Sequence, residues 1–262
     1  MKLGASTSCF YPLETEKSLK KVVDLGFEKT EVFFNAPSEL DEGFAKELLE
    51  ITKGSGTEII SVHPFSSFLE TNCIFTEYKR RFNDFISIYE RTCHAAAMLG
   101  AGIVVIHGAL DKPKIHIPDD RYFERFNLLI EIGRREGVLV CQENVNKFKS
   151  QSIDFCKKMR EALGESYKMV FDIKQTVRAG QDTFNFLNEF KNEIVHLHLS
   201  DNSEIGDCLP PGKGSFDFAS LKSILDASDY KGDAVIEIYS KSYDVEKELK
   251  ESKAYLENLW QI

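Results

Sequence analysis

The chain has 262 residues, 42% of them hydrophobic, and a formal net charge of −9 at pH 7. This length and apolar content are sufficient for a sizeable core, in one large α/β domain or two small ones. So acidic a surface disfavours non-specific binding to nucleic acid and to anionic membranes.

Short apolar runs alternate with longer amphipathic stretches from one end of the chain to the other. The apolar runs predict strands at 2–5, 29–33, 58–62, 103–107, 139–143, 168–172, 194–199 and 234–238. The stretches between them predict helices at 16–25, 42–53, 76–99, 121–135, 152–163, 183–190, 218–226 and 245–259. Several of these helices are followed by glycine, which suits a left-handed cap: Gly26, Gly54, Gly100, Gly137 and Gly164.

The strict alternation favours parallel strands joined by right-handed crossovers. Eight strand–helix units in about 250 residues match a (β/α)8 TIM barrel better than an open doubly wound sheet. Because no Pro/Gly/Ser-rich linker divides the chain, we expect a single domain over residues 1–262. Two strand-to-helix loops, 64–75 and 108–119, are long enough to cover a ligand, although ordinary surface loops explain them equally well.

Polar residues lie at the carboxyl ends of four of the predicted buried strands: Glu143, Asp172, His198 and Glu237. A buried carboxylate or imidazole is costly unless something compensates it. In a barrel these strand ends meet at the catalytic face. One divalent metal ion would compensate three carboxylates and one imidazole at once, so the pattern predicts a metal-dependent enzyme.

Two of these residues also have a simpler explanation. Glu143 also suits a strand that emerges into solvent, although its place in a barrel favours the functional interpretation, and Asp172 suits a turn or helix cap equally well. Glu237 has apolar neighbours on both sides, where a glutamate is seldom buried without a partner. His196 and His198 share a face, and we choose His198 as ligand because it lies nearer the catalytic end. Asp201 suits either the orientation of an imidazole or a role in capping the next segment.

Three further polar residues are candidates for contact with substrate. His63 and His107 end their strands, where each suits substrate binding, a second metal or a plain hydrogen bond. Lys213 lies in a Gly–Lys–Gly turn without the spacing of a phosphate-binding loop, so a solvated turn is the stronger interpretation.

The chain resembles the xylose isomerase-like barrel superfamily, which holds sugar isomerases and epimerases and the endonuclease-four type of AP endonuclease. The resemblance extends over nearly the whole chain. The similar segments are SVHP (61–64), VVIHG (104–108), QEN (142–144), FDI (171–173), HLHLSD (196–201), PGKGSFDF (211–218) and the strand of Glu237. The resemblance implies that Glu143, Asp172, His198 and Glu237 form a single-metal ligand set, with the two glutamates also acting as acid and base.

The chain departs from the family at three places. Gln175 stands where the family often has histidine, and it remains a substrate-binding candidate. Glu204 stands where keto-sugar 3-epimerases have arginine, six residues after the metal histidine. The segment 206–209 lacks the Asp-x-His pair that AP endonucleases use for a third zinc ion. The last departure, with Gln175, disfavours a trinuclear zinc nuclease.

The predicted activity is a metal-dependent sugar or sugar-phosphate isomerase or epimerase, acting through an enediolate with a glutamate acid/base pair. Mn²⁺ is the favoured cofactor, with Mg²⁺, Co²⁺ or Zn²⁺ possible. The alternatives are an AP endonuclease or phosphodiesterase, an inositol-type dehydratase and a non-catalytic sugar-binding barrel. We expect a small-molecule partner and possible homo-oligomers, and we expect neither nucleic acid nor a membrane as a partner. Because the six cysteines form no CxxC pair, we also expect a cytoplasmic location.

Overall fold

Ten strands form in the computed structural model, which describes residues 1–112, 117–239 and 244–262. They are β1 (Leu3–Ser6), β2 (Lys29–Phe33), β3 (Glu58–His63), β4 (Ile103–Ile106), β5 (Leu139–Glu143), β6 (Met169–Asp172), β7 (Ile194–Leu199), β8 (Asp201–Ser203), β9 (Gly206–Leu209) and β10 (Asp233–Ile236). Eight of them close into a parallel barrel in the order β1-β10-β7-β6-β5-β4-β3-β2, and β8 and β9 pair as an antiparallel hairpin.

Helices follow the barrel strands and cover the outside of the barrel. They are α1 (Thr15–Asp24), α2 (Glu42–Thr52), α3 (Glu70–Cys73), α4 (Lys79–Met98), α5 (Asp119–Glu136), α6 (Ile153–Leu163), α7 (Ile173–Arg178), α8 (Thr183–Phe190), α9 (Phe218–Ala227) and α10 (Val245–Trp260). Gly137 ends α5 with a φ of 76°, and the other four glycines predicted to end helices also have positive φ. The predicted (β/α)8 TIM barrel and its single domain are confirmed.

The helices α3 and α7 and the β8–β9 hairpin were not predicted. The first four residues of α7 are all buried, so the segment lacks the one-sided apolar pattern that identifies a surface helix. Helix α3 is only four residues long, and the hairpin strands have three and four. Such short elements are formed by tertiary contacts rather than by their own periodicity.

The barrel interior changes from apolar to polar along the strands. Val105, Cys141 and Val170 form a buried apolar cluster inside the barrel. Two residues after each member of this cluster, on the same face of the sheet, lie His107, Glu143 and Asp172. The apolar layer therefore supports a polar layer directly above it, at the carboxyl ends of the strands.

The two long loops contact each other beside this polar layer. The backbone N–H of Gly108 donates to Glu70 Oε2 at 2.6 Å, and that of Leu110 donates to Thr71 Oγ1 at 2.9 Å. The prediction of a loop at 108–119 includes residues 113–116, which lie outside the described residues. Among the described residues, none of the helices combines the length and the hydrophobicity of a membrane-spanning segment.

Candidate metal centre

The four residues predicted to bind one metal ion come together at the mouth of the barrel. Their nearest ligand atoms all lie within 4.8 Å of one another, and all four side chains are buried: Glu143, Asp172, His198 and Glu237. Their role as metal ligands remains a prediction.

Strand register explains why residues so distant in sequence meet. Asp172 of β6 pairs with His198 of β7, and His198 pairs with Val235 of β10. Glu237 lies two residues beyond Val235, on the same face. Glu143 pairs with Val170, two residues before Asp172. The four side chains therefore lie at the carboxyl ends of four adjacent strands of the barrel, β5, β6, β7 and β10.

Glu31, which lies inside β2 and was not predicted as a site residue, orients His198. Glu31 Oε2 lies 3.1 Å from His198 Nε2, and Ser61 Oγ donates to the same oxygen at 2.9 Å. Because a carboxylate can only accept, His198 Nε2 carries a proton and donates it. The Nδ1 atom then faces the other carboxylates, 3.5 Å from Glu143 Oε1 and 3.5 Å from Glu237 Oε2.

The donor atoms fit a divalent cation. His198 Nδ1 and Asp172 Oδ1 are buried and have no hydrogen-bond partner. Burial acts to lower the pKa of His198, but Glu31, Glu237, Asp172 and Glu143 raise it well above its usual value, so a cation bound here would take the place of the Nδ1 proton. Three carboxylates and one imidazole are a set that Mn²⁺, Mg²⁺, Co²⁺ and Zn²⁺ accept. The arrangement in which a carboxylate holds the far nitrogen of a ligand histidine is common at metal sites.

The two glutamates of the cluster are ionised. Burial acts to raise the pKa of Glu143, but His107, His198 and His63 outweigh it and hold that pKa well below its usual range. Burial likewise acts to raise the pKa of Glu237, and Lys174 and His198 lower it overall. Both side chains are therefore ready to accept a proton or to bind a cation.

Lys174, in the first turn of α7, was also missed by the sequence analysis. Its side chain is 1% exposed, and its Nζ donates to Asp172 Oδ2 and to Glu237 Oε2. Burial acts to lower the pKa of Lys174, but these two carboxylates raise it well above its usual value. The centre therefore contains a fixed ammonium group in contact with two of the four predicted ligands.

A second cluster adjoins the first and shares Glu143 with it. His63 Nε2 lies 2.9 Å from His107 Nε2, which lies 2.8 Å from Glu143 Oε2. Phe33 stacks on the His63 ring at 4.5 Å between centroids. The structure thus brings the predicted substrate-site residues His63 and His107 to the candidate ligand Glu143, as three potential ligands of a second ion.

Two other candidates are placed differently. Gln175 is buried beside the centre, and its Oε1 accepts from the backbone N–H of Asn146 at 3.1 Å. Lys213 instead makes ion pairs on α10, at 2.5 Å from Glu251 Oε2 and 3.6 Å from Glu248 Oε2, so it is not brought into the cluster.

Asp201 organises the turn that contains Lys213. Its Oδ2 accepts from the backbone N–H groups of Gly212 and Gly214, each at 2.9 Å, and its Oδ1 accepts from Phe216 at 2.9 Å. A side chain at Gly214 would overlap the Asp201 carboxylate. Of the two roles considered for Asp201, the structure agrees with the capping of the next segment. The Gly212 and Gly214 donors of the turn are already paired and do not offer an anion site.

Comparison with known proteins agrees with this architecture. The family model of the xylose isomerase-like TIM barrel matches residues 19–259. An uncharacterized protein of Mycobacterium leprae is 23% identical, with 92% of this chain and 90% of the relative covered. The 3-dehydro-D-guloside 4-epimerase of Escherichia coli is 22% identical, and the match covers 98% of this chain and 99% of the relative. A crystal structure of 3-keto-D-glucoside 4-epimerase from E. coli superposes with a TM-score of 0.80 at 19% identity, covering 98% of this chain and 99% of that one. A likeness at such identities shows the fold, and function must come from the site.

Proposed function

The chain belongs to the xylose isomerase-like TIM barrel family, and we propose that it is a metal-dependent epimerase or isomerase of sugars or sugar phosphates. One observation carries the proposal: Glu143, Asp172, His198 and Glu237 converge within 4.8 Å at the mouth of the barrel. The similarity to sugar epimerases supports the same reaction class. We propose a cytoplasmic enzyme, in keeping with six free cysteines.

Four residues would hold the ion, with Mn²⁺ ranked first because three carboxylates and one imidazole are a rather hard set. When bound, the ion supplies Lewis acidity that makes the C–H beside a sugar carbonyl more acidic. Glu31 keeps His198 in the tautomer that presents Nδ1 to the ion.

Glu237 and Glu143 act as the acid/base pair of the proposed reaction. Glu237 is ionised and 6% exposed, so its carboxylate is able to take a proton from the substrate carbon. Removal of that proton leaves an enediolate in the substrate. Because Glu143 is ionised at rest, it would first take a proton from water and then return it on the other face or at the neighbouring carbon, while the proton on Glu237 is lost to solvent. General acid–base action of this kind contributes about 10²–10⁴ in rate.

Solvent deuterium exchange tests the proposal. A panel of ketoses, aldoses and their phosphates is incubated in D₂O with metal-restored protein, and deuterium at the carbon beside the carbonyl is followed by NMR. We expect exchange with the wild-type protein and a loss of about 10²–10⁴-fold in Glu237→Gln. Glu161→Gln, at an exposed position on α6, is the matched control and should exchange at the wild-type rate.

Two outcomes would refute the proposed function. One is exchange by folded Glu237→Gln at the wild-type rate. The other is the absence of exchange across the whole panel with metal bound, as measured by elemental analysis of the same sample.

The second cluster favours a two-metal phosphodiesterase as the second candidate. Glu143 directs Oε1 towards His198 and Oε2 towards His107, which is how a bridging carboxylate holds two ions in hydrolases that displace a phosphate oxygen. Hydrolysis of bis(p-nitrophenyl) phosphate or of abasic duplex DNA, dependent on His107, would support this candidate over the epimerase. The net charge of −9 weighs against a DNA substrate.

A further inference from the structure

Lys174 places a positive charge inside the candidate metal centre. Its side chain is 1% exposed, and its Nζ contacts the carboxylates of Asp172 and Glu237, which are 0% and 7% exposed. A buried lysine with two buried carboxylate partners is held by strong attraction, because little water screens the charges. The position of this ammonium group is therefore a property of the site.

The ammonium group contacts the same oxygen atoms that would bind the ion. The two oxygens that Lys174 contacts, Asp172 Oδ2 and Glu237 Oε2, lie 3.8 and 3.5 Å from His198 Nδ1, and Glu143 Oε1 lies 3.5 Å from it. These atoms surround the point where a cation would take the place of the Nδ1 proton. An ammonium group and a divalent ion that share these two oxygens repel each other over a short distance in a site with little water, so each weakens the binding of the other.

We propose that Lys174 is a built-in competitor of the metal: the ion binds only when Lys174 Nζ leaves Asp172 Oδ2 and Glu237 Oε2. The inference rests on the metal site of the proposed function and is independent of the sugar chemistry. The ring of Tyr239, 5.6 Å from Nζ and 42% exposed, offers the displaced ammonium a π-face at the rim of the barrel.

The competition has a consequence for the metal-free protein. With Nζ in place, two of the buried carboxylates are compensated and the barrel mouth stays folded without metal. When the ion leaves, the Lys174 ammonium group would therefore return to the two carboxylates and compensate their charge.

Metal binding to charge-neutral variants tests the proposal. Mn²⁺ affinity is measured by electron paramagnetic resonance of the free ion for wild type, Lys174→Met and Lys149→Met. Lys149 is the matched control because it is also buried and carboxylate-paired, with its Nζ 2.6 Å from Asp119 Oδ1, but it is absent from the cluster. We expect Lys174→Met to bind Mn²⁺ at least about ten-fold more tightly than wild type, and Lys149→Met to match wild type.

Two additional measurements separate competition from simple charge repulsion. In crystals soaked with Mn²⁺, Lys174 Nζ should lie beyond hydrogen-bond distance of both oxygens. In thermal denaturation, metal-free Lys174→Met should have a lower melting temperature than metal-free wild type. Added Mn²⁺ should raise the melting temperature of Lys174→Met by more than that of wild type. Lys174→Gln, which keeps a polar side chain of similar length, replaces Lys174→Met if the latter fails to fold.

Three results would overturn the proposal: an ion bound while Nζ still contacts both oxygens, affinity in the Lys174 variants equal to or weaker than wild type, or no Mn²⁺ bound by any variant at millimolar concentration. Failure of the proposed function gives a different result, because the protein would then bind Mn²⁺ as expected without exchanging deuterium into any sugar.

Discussion

Replacement of Glu31 tests whether the candidate metal centre depends on a residue that does not itself bind the ion. Glu31 is completely buried, and its Oε2 accepts from His198 Nε2 at 3.1 Å and from Ser61 Oγ at 2.9 Å. Burial acts to raise the pKa of Glu31, but His198 and His196 hold it well below its usual range. The side chain is therefore an anion, and its charge strengthens the ligand nitrogen on the other side of the ring.

The magnitude follows from the type of hydrogen bond that is lost. Glu31→Gln keeps an oxygen that accepts from His198 but removes the charge, so a bond of about 1.5–3 kcal/mol becomes one of about 0.5–1.5 kcal/mol. The difference, roughly 1.4 kcal/mol, corresponds to about ten-fold weaker Mn²⁺ binding. Glu31→Ala also leaves the His198 Nε2–H without an acceptor, so we expect about 100-fold weaker Mn²⁺ binding.

Mn²⁺ titration of the purified variants measures both effects, with urea unfolding as the check on folding. Glu39→Gln is the matched control, since Glu39 Oε2 accepts from Thr15 Oγ1 at 3.0 Å and from the Asn35 N–H at 2.7 Å. Wild-type affinity in folded Glu31→Gln, or an equal loss in Glu39→Gln, would refute the reasoning that Glu31 acts through His198.

Two further predictions concern pH and the Gly–Lys–Gly turn. Burial raises the pKa of Glu70 from 4.5 to about 8, so wild-type stability from this group is complete below pH 4.5 and falls as pH rises towards 8, by at most about 5 kcal/mol. Glu70→Gln should lack this fall in urea unfolding at pH 5 and pH 8.5, and an equal difference from wild type at both pH values would contradict it. Lys213→Ala should keep Mn²⁺ affinity and deuterium exchange within about two-fold of wild type, because Lys213 pairs with Glu251 on α10; a ten-fold loss of exchange would restore Lys213 as a substrate contact.

The barrel and four of its polar residues were predictable because their signals are local. Period-two alternation within each strand identified the runs, and their ends identified Glu143, Asp172, His198 and Glu237. Glu31 carried a related signal, because it is a carboxylate within a predicted buried strand. It lies two residues before the end of that strand, so a search limited to strand ends does not find it. A test for any charged residue inside a predicted strand would have found it.

Lys174 had no comparable signal in the sequence. It follows the strand end by two residues, where a lysine is usually solvated, and only the immediate start of α7 after Asp172 turns it inward. Its partner Glu237 is 63 residues away, so the contact depends on closure of the barrel. For Lys213 the sequence favoured a solvated turn over a ligand contact, and in the structure the Gly212 and Gly214 donors of that turn are occupied by Asp201.

The charges of the centre connect these observations. Four buried carboxylates, Glu31, Glu143, Asp172 and Glu237, lie around one imidazole, and such a group is stable only with cations among it. If Lys174 leaves when an ion enters and the ion also displaces the Nδ1 proton of His198, the centre exchanges two single positive charges for one double charge. The ion then brings no gain in net charge and must also offset the separation of Lys174 from its partners. A site built in this way binds metal more weakly than its four ligands would alone, so the tight binding expected of Lys174→Met measures how much affinity the lysine removes.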